Sequence, residues 1–274
     1  MKSFATIILN RNLPKITDKL YEHLVKHDSK ETDIYVLEAG SEKHKLSKYC
    51  TWYANDEEIK KQGLRYNRGM NYALLQLWKE KKWEQYDAFF LITNDTELSS
   101  TQTLAPMKKL LQEHQRVGIL SPSSLRWGEN ILLQTTPIKY FWFIHNNALL
   151  LRRTFIEDIM QTKKPDYFNF VFDGSNFRGY FSESELIAKA YANNWAAAIT
   201  SEVFAEENES YLLNKADLIK TENYDENIKL YIEEGQQWLK SKYGFNSRWS
   251  MQQYAKSFYD SFFDFYPEYV KYKI

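Results

Sequence analysis

Thiol chemistry is almost absent from this 274-residue chain, whose single cysteine is Cys50. One cysteine excludes an intramolecular disulfide and any metal site built from several cysteines, and it fits a reducing compartment. Net charge is missing too: 36 Lys and Arg balance 36 Asp and Glu. No global basic field therefore asks for nucleic acid, and no acidic tail stands out. No uninterrupted apolar stretch approaches the roughly 20 residues needed to span a bilayer. The amino terminus has no basic-then-apolar leader, because charge returns at Arg11 soon after the apolar run 4–9. Internal repeats and low-complexity linkers are absent as well. These absences lead us to expect a soluble, cytoplasmic protein made of one large domain, or one domain with an appendage.

What the chain has in abundance is aromatic side chains, 16% of its residues, with much of that content in the last third. It also has alternation. The β-rich run 4–9 ends at Asn10-Arg11-Asn12, and after Pro14 the residues Ile16, Leu20 and Leu24 recur at helical spacing. A second strand, 33–37, closes on Glu38-Ala39-Gly40-Ser41, and Met70, Ala73, Leu74 and Leu77 mark another helix. Strand 89–92, a helix with Met107, Leu110 and Leu111, and strand 117–120 follow. This order predicts a parallel sheet with helices on its faces. Further on, 131–135, 140–151 and 196–200 read as strands. A short helix starts at Phe155, and a longer one covers 181–191. Beyond about 215 the pattern is helical only. There Met251, Tyr254, Phe258, Phe262 and Phe265 form an aromatic stripe, either packed on the main body or facing a membrane surface or partner.

Three acids stand where chemistry is expected. Asp95 begins the polar stretch after Phe89-Phe90-Leu91-Ile92, a run suited to a strand buried on both faces. Ligands of open α/β sheets bind beyond the carboxyl ends of the strands, and a carboxylate there can hold a divalent cation. The alternative is an ordinary Asn-Asp turn. Glu38 ends its strand beside a tight turn, placed to accept hydrogen bonds from a ribose or base, or to be an exposed turn acid. Ser182 and Glu185 have capping-box spacing, which leaves Glu183 in the first helical turn without capping duty. The helix dipole should keep Glu183 ionised there, as a general base must be. Asn67 flanked by Arg65 and Arg68 opens a helix, a setting suited to phosphate or simply to solvent.

Taken together, these segments resemble the family 2 glycosyltransferases of the GT-A fold, in particular the bacterial surface-polysaccharide branch of rhamnosyl- and galactosyl-transferase type. Leu37-Glu38-Ala39-Gly40-Ser41 is similar to the family's Val-Asp-Asn-Gly-Ser, and Asn67, Gly69 and Ala73 match its Asn-x-Gly…Ala segment. Thr93-Asn94-Asp95-Thr96-Glu97-Leu98 resembles its metal motif. The stretch from His145 and Asn146 to Arg153 resembles an acceptor-side strand. Ser182-Glu183-Ser184-Glu185-Leu186 resembles Glu-Asp-x-Asp-Leu, and Lys242-Tyr243-Gly244 echoes a later Lys-Trp-Gly.

The resemblance implies a Rossmann-like, mostly parallel α/β sheet in a catalytic domain over 1–215, with a helical, aromatic-rich extension over 216–274. It implies a metal-dependent inverting enzyme that moves a sugar from a nucleotide-diphosphate sugar to a glycan or lipid-linked acceptor. Asp95 would bind Mn2+ or Mg2+ and Glu183 would be the catalytic base. Asn10, Glu38, Arg65, Asn67, Arg68, Asn94, His145 and Asn146 would contact nucleotide or substrate. Departures from the motif are Thr93 for the first metal acid, Ser182 for the leading Glu, Asn146 for a Gly, and no histidine after His145. The competing classes are a sugar-1-phosphate nucleotidyltransferase and a noncatalytic glycan-binding protein. The first usually has a Gly-rich loop after its first strand, where this chain reads Asn10-Arg11-Asn12-Leu13-Pro14.

Overall fold

The computed structural model describes residues 2–98, 102–126, 128–133, 136–144, 148–160, 162, 164–208 and 223–274. Strands β1 (Phe4–Asn10), β2 (Thr32–Ala39), β3 (Trp52–Ala54) and β4 (Ala88–Thr93) form a parallel block in the order β3-β2-β1-β4. The helices between them are α1 (Pro14–Asp28), α2 (Glu57–Gln62) and α3 (Arg65–Lys79). Phe89, Phe90, Leu91 and Ile92 have no exposed surface, as a strand covered on both faces requires. Register aligns the strand ends, with Asn10 opposite Glu38 and Leu9 opposite Thr93. Gly69 lets α3 lie close on β1, because a Cβ there would come within 2.6 Å of Leu9 Cδ1.

Beyond β4 the sheet is mixed. The strands here are β5 (Thr96–Leu98), β6 (Val117–Ser123), β7 (Ile138–Tyr140), β8 (Leu149–Arg152) and β9 (Ala196–Glu207). β8 inserts antiparallel between β4 and β6, β6 and β9 run parallel, and β5 and β7 pair antiparallel with β9. The parallel sheet anticipated from strand–helix alternation is thus confined to its amino-terminal half and the β6–β9 pair. Helices α4 (Leu104–Glu113), α6 (Arg153–Ile159) and α7 (Ser182–Ala192) pack against this half. Residues 131–133 are not a strand. They belong to a turn of helix, α5 (Glu129–Leu132), and to the residue that follows it. Gly128 opens that turn at φ +73°, its carbonyl accepts from Ile131 N, and the Ile131 side chain is 64% exposed. The run read as one strand over 140–151 contains the end of β7 and most of β8; residues 141–144 and 148 between them are not strand, and 145–147 lie outside the described residues.

Two long helices, α8 (Tyr224–Tyr243) and α9 (Arg248–Phe265), end the chain with a 3-10 turn at Pro267–Tyr272. The buried face of α9 is Met251, Ala255, Tyr259, Phe262 and Phe263, a phase shifted from the anticipated stripe, and Phe265 is 74% exposed. Tyr259 and Phe262 meet Tyr191 of α7 edge-on at 5.3 and 5.5 Å between ring centroids. Of the two readings of the stripe, packing against the main body is the one realised on this face.

The segment 166–181, which leads into α7, has little regular structure and is held by side chains of α3. Asn71 Oδ1 accepts from Val171 N (3.1 Å) and Phe172 N (3.0 Å), while its Nδ2 donates to Phe172 O (2.7 Å) and Tyr167 O (3.2 Å). Asn71→Ala would strand two buried backbone N–H groups. We expect a loss of about 2–4 kcal/mol in urea unfolding; a loss below about 0.5 kcal/mol would show that the clamp is dispensable.

Candidate functional site

At the carboxyl edge of β1, β2 and β4 lies a buried polar network. Glu38 has no exposed surface. Its carboxylate accepts from Asn10 Nδ2 at 2.9 Å to each oxygen, from Ser41 Oγ at 2.5 Å and from Ser47 N at 2.7 Å. Asn10 Oδ1 in turn accepts from Asn94 Nδ2 at 2.6 Å and Leu13 N at 3.3 Å. The direct nucleoside contact anticipated for Glu38 is therefore not available, since both oxygens are used inside the protein. Asn10 and Asn94, 1% and 9% exposed, are likewise committed to the scaffold. Beside them, beyond the ends of β2 and β3, is a cavity of about 520 Å³ lined by Ser41, Glu42, Lys43, Tyr53, Asn55 and Lys60. Tyr53 Oη donates to Ser41 O at 2.7 Å, which fixes one wall.

Asp95 follows Asn94 and is 5% exposed. Burial raises its carboxyl above the ordinary range, against a hydrogen bond from Thr93. Its Oδ1 is buried with no hydrogen-bond partner among the described residues. An ionised buried oxygen of this kind is costly unless a cation or donor reaches it, so Asp95 fits a hard divalent cation. Among the described residues no group of three or more His, Cys, Asp or Glu is placed to hold a metal ion. Any cation here would rely on Asp95 plus oxygens from its ligand and water.

The helix-opening cations do something other than wait for phosphate. Arg68 Nε donates to Gly174 O at 2.7 Å, and its guanidinium lies 4.4 and 4.6 Å from the Phe168 and Phe177 ring centres. Arg65 donates to Asn227 Oδ1 of α8 at 3.0 Å, and Asn67 Nδ2 to Asp173 O (2.9 Å) and Asn176 O (3.1 Å). All three residues, anticipated as nucleotide or substrate contacts, also fasten the 166–181 segment and α8. His145 and Asn146 lie outside the described residues.

Glu183 is the second residue of α7 and only partly exposed. Burial pushes its carboxyl up to about 7, so the anticipated holding of charge by the helix dipole is outweighed by desolvation. The capping box does not form. Phe181, in left-handed conformation at φ +55°, is the N-cap, and Ser182 Oγ has no partner among the described residues. Glu185 instead binds Lys242 Nζ at 2.6 Å and Tyr243 Oη at 2.5 Å. Lys242 also reaches Asp173 at 2.5 Å. Burial opposes ionisation of Asp173, but hydrogen bonds from Lys242, Ser175 and Trp238 hold its carboxyl well below the usual range.

The three acids thus sit on two parts of the fold, the strand edge and the first turn of α7. Glu38 and Asp95 share the strand edge through the Asn10–Asn94 bond. Glu183 opens α7, and burial first, then the charge of Glu183, pushes up the phenol of Tyr231 on α8. Asp173, Trp238 and Tyr231 carry no motif in the sequence; Lys242-Tyr243-Gly244 is the one signal for α8, which holds Trp238 and Tyr231.

No protein-family model and no curated protein sequence matches the chain. Solved structures match in shape. S. aureus TarS in complex with UDP-GlcNAc superposes with TM-score 0.55 at 15% identity, over 97% of this chain and 73% of that one. GalNAc-T7 with UDP, GalNAc and Mn2+ gives 0.55 at 9% identity, over 99% of this chain but only 58% of its own length. Glucosyl-3-phosphoglycerate synthase from Mycobacterium tuberculosis, with Mn2+, UDP and phosphoglyceric acid, gives 0.52 at 11% identity over 90% and 80%. The fold is the GT-A fold of glycosyltransferases. No helix among the described residues is long and apolar enough to cross a membrane.

The raised Glu183 carboxyl links stability to pH. Its folded state binds the proton more tightly than the unfolded chain, so its contribution is intact below about 4.5 and is lost as pH rises through about 7. Glu183→Gln should match wild type in urea midpoint at pH 4 and exceed it at pH 8. A gap that does not widen across that interval would contradict the burial of this carboxyl.

Proposed function

We propose that the protein is an inverting glycosyltransferase that moves a sugar from a nucleotide-diphosphate sugar to a hydroxyl of a glycan or lipid-linked acceptor, as in cell-surface polysaccharide synthesis. The observation that carries this reading is the unpaired, buried Asp95 oxygen at the carboxyl end of β4, at the sheet edge where α/β proteins take their ligands. The GT-A fold and the motif order support it. The nucleoside would occupy the cavity walled by Tyr53, with Lys43 and Lys60 compensating phosphate charge. Asp95 would hold Mn2+ or Mg2+, and that ion would supply charge neutralisation for the leaving diphosphate.

Glu183 is suited to the base. With a carboxyl near 7 it accepts a proton readily yet is ionised in a large fraction of molecules at neutral pH. In the proposed step the acceptor oxygen attacks the anomeric carbon and its proton passes to Glu183. The bond from that carbon to the phosphate oxygen breaks, and its electron pair leaves on the diphosphate. Attack from the face opposite the leaving group inverts the configuration. Exposed Phe265 at the end of α9 would be the group that meets a lipid boundary in a protein working at the inner membrane face. A nucleotidyltransferase is disfavoured by the glycine-free loop after β1.

Release of nucleoside diphosphate from nucleotide sugars tests the reading. Glu183→Gln is expected to lose about 10²- to 10⁴-fold in transfer while still binding nucleoside diphosphate in thermal-shift titration. Asp95→Asn is expected to abolish the extra stabilisation that Mn2+ adds to the nucleotide. Wild-type transfer by both variants would overturn the assignment, and pyrophosphate release from nucleoside triphosphate would favour the nucleotidyltransferase.

A further inference from the structure

Arg248 begins α9 in a place that costs stability. A cation is unfavourable at the positive end of a helix, the first turn of α9 holds no acid, and the Ser247 side chain makes no capping bond. The surrounding chain offers no relief. Between Glu234 and Asp260 the sequence has no Asp or Glu, although Lys240, Lys242, Arg248 and Lys256 all fall there and the whole chain is neutral. Lys242 is taken by Asp173 and Glu185, and Lys256 by Asp260. Arg248 is exposed, and among the described residues no carboxylate pairs with it.

What holds this guanidinium is aromatic. It lies 4.7 Å from the Trp249 ring centre and 5.8 Å from that of Phe181, the N-cap of α7 and two residues before Glu183. Burial raises the Tyr180 phenol, and the charge of Arg248 opposes that rise. Met251, in the same turn of α9, is buried in one apolar cluster with Tyr180, Phe181, Trp238 and Leu239. The start of α9 is thereby fixed against the start of α7. Contact with ring faces leaves the in-plane N–H donors of an arginine available as a fork that fits phosphate or carboxylate.

We infer that Arg248, steadied by Trp249 and Phe181, binds an anionic group of the acceptor, a phosphate or carboxylate on the glycan that presents its hydroxyl to Glu183. It rests on the transferase reading above. An anion approaching Glu183 is repelled unless a cation stands beside it, and Arg248 supplies one against the cap of the helix that bears Glu183. A bilayer fits less well. Phe265, the exposed group suited to lipid, lies about 160° round α9 from Trp249 at 3.6 residues per turn, so one flat surface does not meet both.

Methyl glycosides of gluco, galacto and manno configuration, each neutral, as its 6-phosphate and as its uronate, serve as probe acceptors. UDP- and GDP-sugars are the donors, and nucleoside diphosphate release is the readout. In wild type at least one charged glycoside should exceed its neutral parent in kcat/KM by about tenfold or more, as a charge-assisted hydrogen bond provides. Arg248→Gln should bring that ratio within about twofold of unity, through KM rather than kcat. Arg248→Lys, which keeps the charge and loses the fork, should fall between, and it decides alone if Arg248→Gln fails to fold. No preference for any charged glycoside, or a preference that survives substitution of Arg248, overturns the inference. So does Arg248-dependent sedimentation with phosphatidylglycerol vesicles in the absence of that preference, which would assign the anion to a lipid headgroup. Release by wild type without a charge preference removes this inference alone. No release from any donor, with or without acceptor, removes the transferase reading beneath it.

Discussion

A carboxylate with no exposed surface, Glu38, sets the geometry of the sheet edge on which everything functional rests. Burying a charge in a protein interior is tolerated only when hydrogen bonds replace the lost water, and Asn10, Ser41 and the Ser47 amide replace it here. The consequence runs outward. Asn10, fixed by Glu38, fixes Asn94, and Asn94 fixes the turn that aims Asp95. Ser41, fixed by the same carboxylate, shapes the mouth of the cavity beside it. The acid that looked like a ligand contact is thus the strut that holds two other candidate contacts in place.

The opposite wall is built from longer-range ties. The 166–181 segment has little secondary structure of its own, so its backbone groups must be satisfied from outside; Asn67, Arg68 and Asn71 of α3 do this, while Trp238 and Lys242 of α8 hold the Asp173 carboxylate. Lys242 bridges Asp173 and Glu185, binding the segment and the base-bearing helix to α8 in one half-buried cluster. Removing Lys242 would leave the carboxylates of Asp173 and Glu185 without their shared cation, so the cluster behaves as a unit rather than as separate surface pairs. Helices near the carboxyl end of the chain therefore hold the position of Glu183.

Much of this architecture was legible beforehand because it is governed by local pattern. The run 89–92 announced a doubly covered strand, and Met70, Ala73, Leu74 and Leu77 announced the buried face of α3. The failures share a cause in contacts distant along the chain. Ile131 looks like strand material, yet its side chain faces solvent. The α9 stripe was read one phase away, since Tyr259 and Phe263 are distinguished from Phe258 and Phe265 only by the presence of Tyr191 and Tyr140. Arg65 and Arg68 looked free because their partners lie more than 100 residues away in sequence. Asp95 was readable as a candidate ligand from its place after an apolar strand, whereas the unpaired state of its Oδ1 was not.

In the proposed reaction Asp95 faces the donor's diphosphate and Glu183 the acceptor hydroxyl, on opposite sides of the transferred sugar. A crystal structure of the protein with nucleoside diphosphate and Mn2+ tests this most directly. The prediction is a cation bonded to Asp95 at about 2.0–2.2 Å, as hard-oxygen coordination requires, with the diphosphate extending from it toward the first turn of α7 and the nucleoside beside Tyr53. A nucleotide bound elsewhere, or bound here with the Asp95 oxygen still unpaired, would contradict it.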